Sequence, residues 1–152
     1  APADSGPREA QALATMSALL KGGARVTAKD AYGLTALHHA AQAGGVEAID
    51  FLLGLTVSLS IRRAPLEAET NAEERALHLA AAGGHAAAVR SLLKHNANPN
   101  HTNYQQQSAL HLAALGGESA ASLATLKELT AAVRRCNALG TALACPRRGC
   151  GR

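Results

Sequence analysis

The chain has 152 residues, enough for one domain with a shared core and too few to make a second domain expected. Aromatic residues are 2%, with no Trp, so the core cannot rest on large rings; thirty-six alanines point to helices packed at close range, since Ala loses no side-chain entropy in a helix. The formal charge is +4 and the pI about 9.3, but only 17% of residues are charged and much of the excess lies in RCNALGTALACPRRGCGR at the end, so no dense basic stripe with aromatic platforms forms a nucleic-acid groove, and no apolar stretch is long enough to span a membrane.

At the amino end, APADSGPREAQ has no basic stretch followed by an apolar one, so no signal peptide is visible, and without an initiator Met the chain is expected to be part of a larger one. Residues 9–29 begin EAQALATMSALLKGGARV, whose apolar spacing predicts one helix, while Pro2, Gly6 and Pro7 oppose another before it. From 30 to 60, Ala36-Leu37-His38 opens a helix in TALHHAAQAG, Gly44-Gly45 permits a tight turn, and Val46, Ile49, Leu52 and Leu53 recur at helical spacing in a second helix. Ala76-Leu77-His78 and Ala109-Leu110-His111 repeat that opening, followed by Gly83-Gly84 with Val89, Leu92 and Leu93, and by Gly116-Gly117. Leu110 follows Leu77 by 33 residues and Leu143 follows Leu110 by 33 again, whereas Leu77 follows Leu37 by 40. The connectors from Leu20 to Leu37 and from Leu93 to Leu110 are both 17 residues and rich in Gly, Asn and Pro, which reads as a hairpin-like loop. The seven extra residues of the first interval are expected as a loop inserted at 61–69, protruding where Pro65 and several charges gather. Residues 70–102 form the next unit. Residues 103–135 form a degenerate one, in which Leu123, Leu126 and Leu129 keep helical spacing, and 136–152 are a truncated unit or a disordered tail.

A 33-residue period with a T-x-L-H-x-A core resembles the ankyrin repeat. DAYGLTALHHAAQAGGVEAIDFLL carries the pattern from Asp30 to Leu53, with Gly33, Thr35, Leu37, His38, Ala40, Ala41, Gly44 and Leu52-Leu53 in place; RALHLAAAGGHAAAVRSLLKHNANPN and SALHLAALGG carry it again. The resemblance implies an all-α, ankyrin-repeat solenoid of helix-turn-helix units joined by hairpin-like loops, one domain over 1–152. Alanine stands at 36, 76 and 109 where the family has Pro, and Glu73 and Gln106 replace the hairpin glycine, so looser or differently shaped fingers are expected there.

The same resemblance assigns the recurring histidines to structure. Thr35 with His38 and Ser108 with His111 are expected to hydrogen-bond and tie one hairpin to the next, while Arg75 breaks that pairing for His78. His39 is expected to be a partly buried substitution; a His38-His39 metal site is opposed because adjacent helical residues point about 100° apart. His85 belongs to the turn between helices, and His95 and His101 are expected in solvent beside a polar loop. Cys136, Cys145 and Cys150 fit neither a disulfide framework nor a zinc pattern and are expected as reduced thiols. No GxSxG, HExxH, P-loop or GxGxxG occurs, so no enzyme activity, catalytic residue, cofactor or metal is expected.

Function therefore follows the resemblance: a non-enzymatic module binding a partner protein, of unknown identity, through its concave face and fingertips. The implied contacts are Lys29, Ala31, Tyr32, Leu34 and Gln42, then Glu69, Asn71, Glu74 and Ala82, then Thr102, Tyr104, Gln105, Gln107 and Leu115. The chain has only two tyrosines, and both fall at fingertips, where a large rigid side chain anchors an interface at small entropic cost. The alternatives are a regulatory segment hydroxylated at Asn100, and a weak nucleic-acid contact through Arg134, Arg135, Arg147 and Arg148. A cytoplasmic or nuclear location is expected, with no membrane partner.

Overall fold

The computed structural model describes residues 7–58, 66–117 and 119–139. Seven helices follow one another: α1 Pro7–Lys21, α2 Ala36–Ala43, α3 Val46–Ser58, α4 Ala76–Ala82, α5 Ala86–Lys94, α6 Ala109–Leu115 and α7 Ala120–Leu139. They form two rows. Helices α2, α4 and α6 pack side by side as an inner row, and α1, α3, α5 and α7 as an outer row, with each inner helix joined to the outer helix after it. The half unit at the amino end is thus an outer helix only, and Pro7 opens it at the one helical turn that needs no donor.

The rows meet over Leu37, Ile49, Leu52, Leu77, Val89, Leu92 and Leu129, all nearly inaccessible, with Ala41, Ala80, Ala81 and Ala113 between them. Small residues on the inner row let the helices approach closely, so the core closes without aromatic rings. Among the described residues no strand forms; one isolated antiparallel bridge joins Thr102 and Ser108 across the third finger.

Several expectations change here. Glu73 and Gln106 do not loosen their fingers: their φ angles are 58° and 61°, beside 79° at Gly33. The three hairpins close with the same bonds, Asp30 N to Leu34 O, Thr70 N to Glu74 O and Asn103 N to Gln107 O, each 2.9 Å. The first residue of each finger also accepts two amides on its side chain: Asp30 from Tyr32 and Leu34, Thr70 from Ala72 and Glu74, Asn103 from Gln105 and Gln107. These short polar side chains hold the turn whatever stands at its left-handed position.

The insertion is also placed differently. Helix α3 has 13 residues against 9 in α5, so some of the extra length is helix. Val26, Leu66 and Pro99 stand eleven residues before Leu37, Leu77 and Leu110 and all are buried, so the regular register resumes at Leu66. Of the expected loop 61–69, Leu66 to Glu69 therefore belong to the repeat proper, and 61–65 lie outside the described residues.

At the other end, the expected boundary at 135/136 falls inside α7, which has 20 residues and runs where a fourth finger would begin. Its buried stripe is Ser122, Thr125, Leu129, Ala132 and Cys136; Leu123 is 50% exposed, so only Leu126 and Leu129 of the three expected leucines pack inward. Cys136 is disulfide-bonded, which corrects the expectation of a reduced thiol at that position; Cys145 and Cys150 lie outside the described residues. No helix among the described residues is long and apolar enough to cross a membrane.

Candidate functional site: fingers and inner helices

Each finger is bonded to the next, which makes the row of tips one surface. The Asn71 amide donates to the carbonyl of Tyr32 at 3.1 Å and the Tyr104 amide to that of Ala72 at 3.2 Å. Asn71 Nδ2 adds a bond to the carbonyl of Ala31, and Lys29 Nζ reaches the carbonyl of Glu69 at 2.7 Å. The first two fingers lie so close that a Cβ on Gly33 would stand 2.8 Å from the Asn71 nitrogen.

The buried histidines lock this surface to the helices behind it. The Thr35 amide donates to His38 Nδ1 at 3.1 Å, which leaves Nε2 to donate to the carbonyl of Glu74 at 3.2 Å in the next finger. His78 does the same with the Arg75 amide and the carbonyl of His101, but without the hydroxyl partner that Thr35 and Ser108 place 2.9 Å from Nδ1 of His38 and His111, so Arg75 breaks the side-chain pairing and keeps the backbone one. The Arg75 side chain instead forms ion pairs with Glu67 and Glu69. His111 accepts the Ser108 amide at 3.1 Å but is exposed, unlike His38 and His78, whose Nε2 atoms reach the next finger; α7 continues as helix through Leu139, where that finger would begin. Burial, first of all, pushes the His78 pKa down to about 4; the carbonyl of His101 opposes that shift, and the charges of His101 and Arg75 add to it. His38 is shifted down as well, again chiefly by burial.

The other histidines differ from expectation. His39 is exposed, with 56% of its side chain accessible, and its Nε2 faces Asp30 Oδ2 at 3.0 Å. His101 is half-buried, edge-on to His78 with ring centroids 5.7 Å apart and with Glu69 Oε1 at 3.3 Å. His95 faces Asp50 of the preceding repeat at 3.3 Å. His85 bonds the carbonyl of Gln42 at 3.0 Å and lies against Gly44 and Gly83, where a Cβ would come within 2.6 Å of its ring. The two ring nitrogens of His38 are thus engaged by the backbone, and His39 faces away to Asp30. The four histidines at 85, 95, 101 and 39 carry contacts between helices and repeats that their sequence positions, all outside the ALH motif, did not signal.

Of the implied contact residues, Lys29, Ala31, Tyr32, Gln42, Asn71, Ala82, Tyr104, Gln105 and Leu115 are exposed; Leu34, Glu69, Glu74, Thr102 and Gln107 are half-buried. Tyr32 is 74% accessible, Tyr104 60% and Leu115 72%. Tyr104 Oη accepts a bond from Gln105 Nε2 at 2.9 Å, which steadies the third tip. Asn100 is half-buried, its amide bonded to Asn98 Oδ1. Arg134 and Arg135 are exposed on α7, on the outer row; Arg147 and Arg148 lie outside the described residues. On that outer row a cleft of about 490 Å³ opens between α5 and α7, with Leu93, Ala97 and Ala132 below and Arg90, paired with Glu128, on its rim.

Among protein families, an ankyrin-repeat model matches residues 32–63 and a model of several ankyrin repeats matches 72–126, together more than half of the chain. No curated protein matches the chain. The matched stretches hold the three ALH helices and the third finger, begin within the first and second fingers, and stop short of the second half of α7.

Proposed function

The chain belongs to the ankyrin-repeat family, whose repeats are in general protein-protein interaction modules, and we propose that this one binds its partner through the fingertips and the exposed ends of the inner helices. The observation that supports the reading is the placement of Tyr32 and Tyr104. Both stand largely exposed on hairpins that backbone bonds hold in register, so large aromatic area is offered on a surface already ordered before binding. Preorganisation lowers the entropy cost of association, and Tyr supplies contact area with few rotors. Tyr32, Leu34, Gln42 and Lys29 form the first part of the face, Glu74 the middle, and Tyr104, Gln105, Gln107 and Leu115 the last. Lys29 contributes mainly by bridging two fingers, since its ammonium is already bonded to the carbonyl of Glu69.

The module works without catalysis in this reading, and hydroxylation of Asn100 or a nucleic-acid contact through Arg134 and Arg135 are the alternatives to it. The compartment belongs to the same proposal: a cytoplasmic or nuclear location is the expectation, and the disulfide at Cys136 weighs against it, because disulfides persist in oxidising surroundings. Alkylation in cells followed by electrophoresis with and without reductant reads that state. For the binding face, a photo-crosslinking residue at 32 or 104 is expected to capture a partner protein that the same residue at 127, on the outer row, does not. Capture from 127 alone, an added oxygen mass on the peptide holding Asn100, or salt-sensitive retention of nucleic acid lost with Arg134 and Arg135 would each replace the reading with its alternative.

A further inference from the structure

Among the described residues the fingers are acidic and the outer helices α5 and α7 basic, although α3, also of the outer row, carries Glu47 and Asp50 and no cation. Helices α2, α4 and α6 carry no Asp, Glu, Lys or Arg, and the third finger carries none either. Among the described residues the charges of the front therefore lie in the first two fingers and their lead-ins: Asp30 and the four glutamates between 67 and 74, against Arg25, Lys29 and Arg75. The outer helices α5 and α7 reverse the balance, with Arg90, Lys94, Lys127, Arg134 and Arg135 against Glu128.

The carboxylates of the front are not equivalent. Asp30 faces His39, and Glu67 and Glu69 face Arg75. Glu73 and Glu74 have no cationic side chain within ion-pair distance among the described residues. Glu73 is exposed at the tip, held by its left-handed backbone, and Glu74 is beside it. The bond from the Tyr104 amide to the carbonyl of Ala72 sets the backbone of the third tip against the residue before Glu73, and Tyr104 and, at the end of the same repeat's inner helix, Leu115 are exposed. The front thus runs from an acidic middle to an apolar, uncharged third repeat.

Resting on the reading of this face as the docking surface, we propose that its partner is a protein segment that is both cationic and apolar. Its Lys or Arg side chains lie on Glu73 and Glu74, and its apolar side chains lie on Tyr104 and Leu115. The net charge of +4 would attract an acidic partner at long range, but among the described residues the cations concentrate on α5 and α7 of the outer row rather than at the fingers. Complementary potential at the contact, not total charge, sets which partner is accepted and how its capture responds to salt.

The test uses the whole chain and two labelled peptides of equal length, one combining arginines with leucines and a twin with glutamates for the arginines. The expected result is that the arginine peptide binds at least about tenfold tighter than its twin at low salt, that this margin shrinks at high salt, and that E73Q with E74Q removes most of it. Tyr104→Ala is expected to weaken the arginine peptide too, whereas K127Q with R135Q is not. Equal or tighter binding of the glutamate twin, failure of the arginine peptide to bind, or indifference to E73Q with E74Q overturns the inference. If Tyr104→Ala still weakens binding in that last case, the face remains the docking surface and only its partner chemistry has failed; if neither front variant matters, the docking reading falls with it.

Discussion

Glu73 and Gln106 occupy a left-handed conformation that costs a residue with a Cβ roughly 1–2 kcal/mol, offset only partly by the entropy a glycine would lose on folding. Glu73→Gly or Gln106→Gly is therefore expected to raise stability by about 0.5–1 kcal/mol, read by denaturant melts, because the finger's bonds need nothing from either side chain. A loss of stability would mean that these side chains support their fingers. The histidines separate in the same way by surroundings. His78→Ala removes a fully buried ring whose nitrogens serve two backbone groups, so a loss of roughly 2–4 kcal/mol is expected. His111→Ala, at an exposed ring bonded to the amide and hydroxyl of Ser108 and to no neighbouring finger, is expected to cost under about 1 kcal/mol. Equal losses would show that burial is not what distinguishes them. The shared motif was readable from sequence; the difference was not, since it depends on whether a finger follows.

At the scale of elements, the outer helices depart most from the repeat. Helix α3 overruns its counterpart and the register returns at Leu66, so the position of extra length matters more than its amount. Deleting 59–65 restores the 33-residue interval while keeping α3 and Leu66, and the melting temperature is expected to change little, because loop length costs stability only slowly. Deleting seven residues that include Leu66 and Glu67 is expected to destabilise by at least about 2 kcal/mol, since a core side chain and a partner of Arg75 go together. The reverse order would place the packing contact upstream of Leu66. In α7 the core positions of Val89 and Leu92 fall to Ser122 and Thr125, whose hydroxyls bond backbone carbonyls of their own repeat, Thr125 to Ala121 at 2.8 Å. A search for apolar periodicity passes over such positions and selects Leu123, which the fold leaves in solvent.

Across the whole molecule, the buried histidines make stability depend on pH. His78 titrates near 6.5 when unfolded and at about 4 when folded, so the unfolded chain takes up its proton first. Its contribution is complete above pH 6.5, falls by about 3 kcal/mol as the pH drops to 4, and is flat below. Melts of the parent and of His78→Asn between those limits check this: the parent is expected to lose more stability than the variant, and parallel curves would remove His78 as the cause. His38, shifted in the same direction, adds a loss that both chains share. The repeat, its helix pairs and the family were already determined by sequence, because helix period, turn glycines and the ALH signature are local and recur at fixed spacing. The hairpins kept by Glu73 and Gln106, the exposed His111 and Leu123, the engaged His39 and His101, the disulfide at Cys136 and the acidic front of a basic chain were decided only by the tertiary structure. Most of these depend on which repeat, finger or helix stands next to a residue, and neighbours across the stack, such as His38 and the carbonyl of Glu74, lie too far apart in sequence for a local pattern to show them.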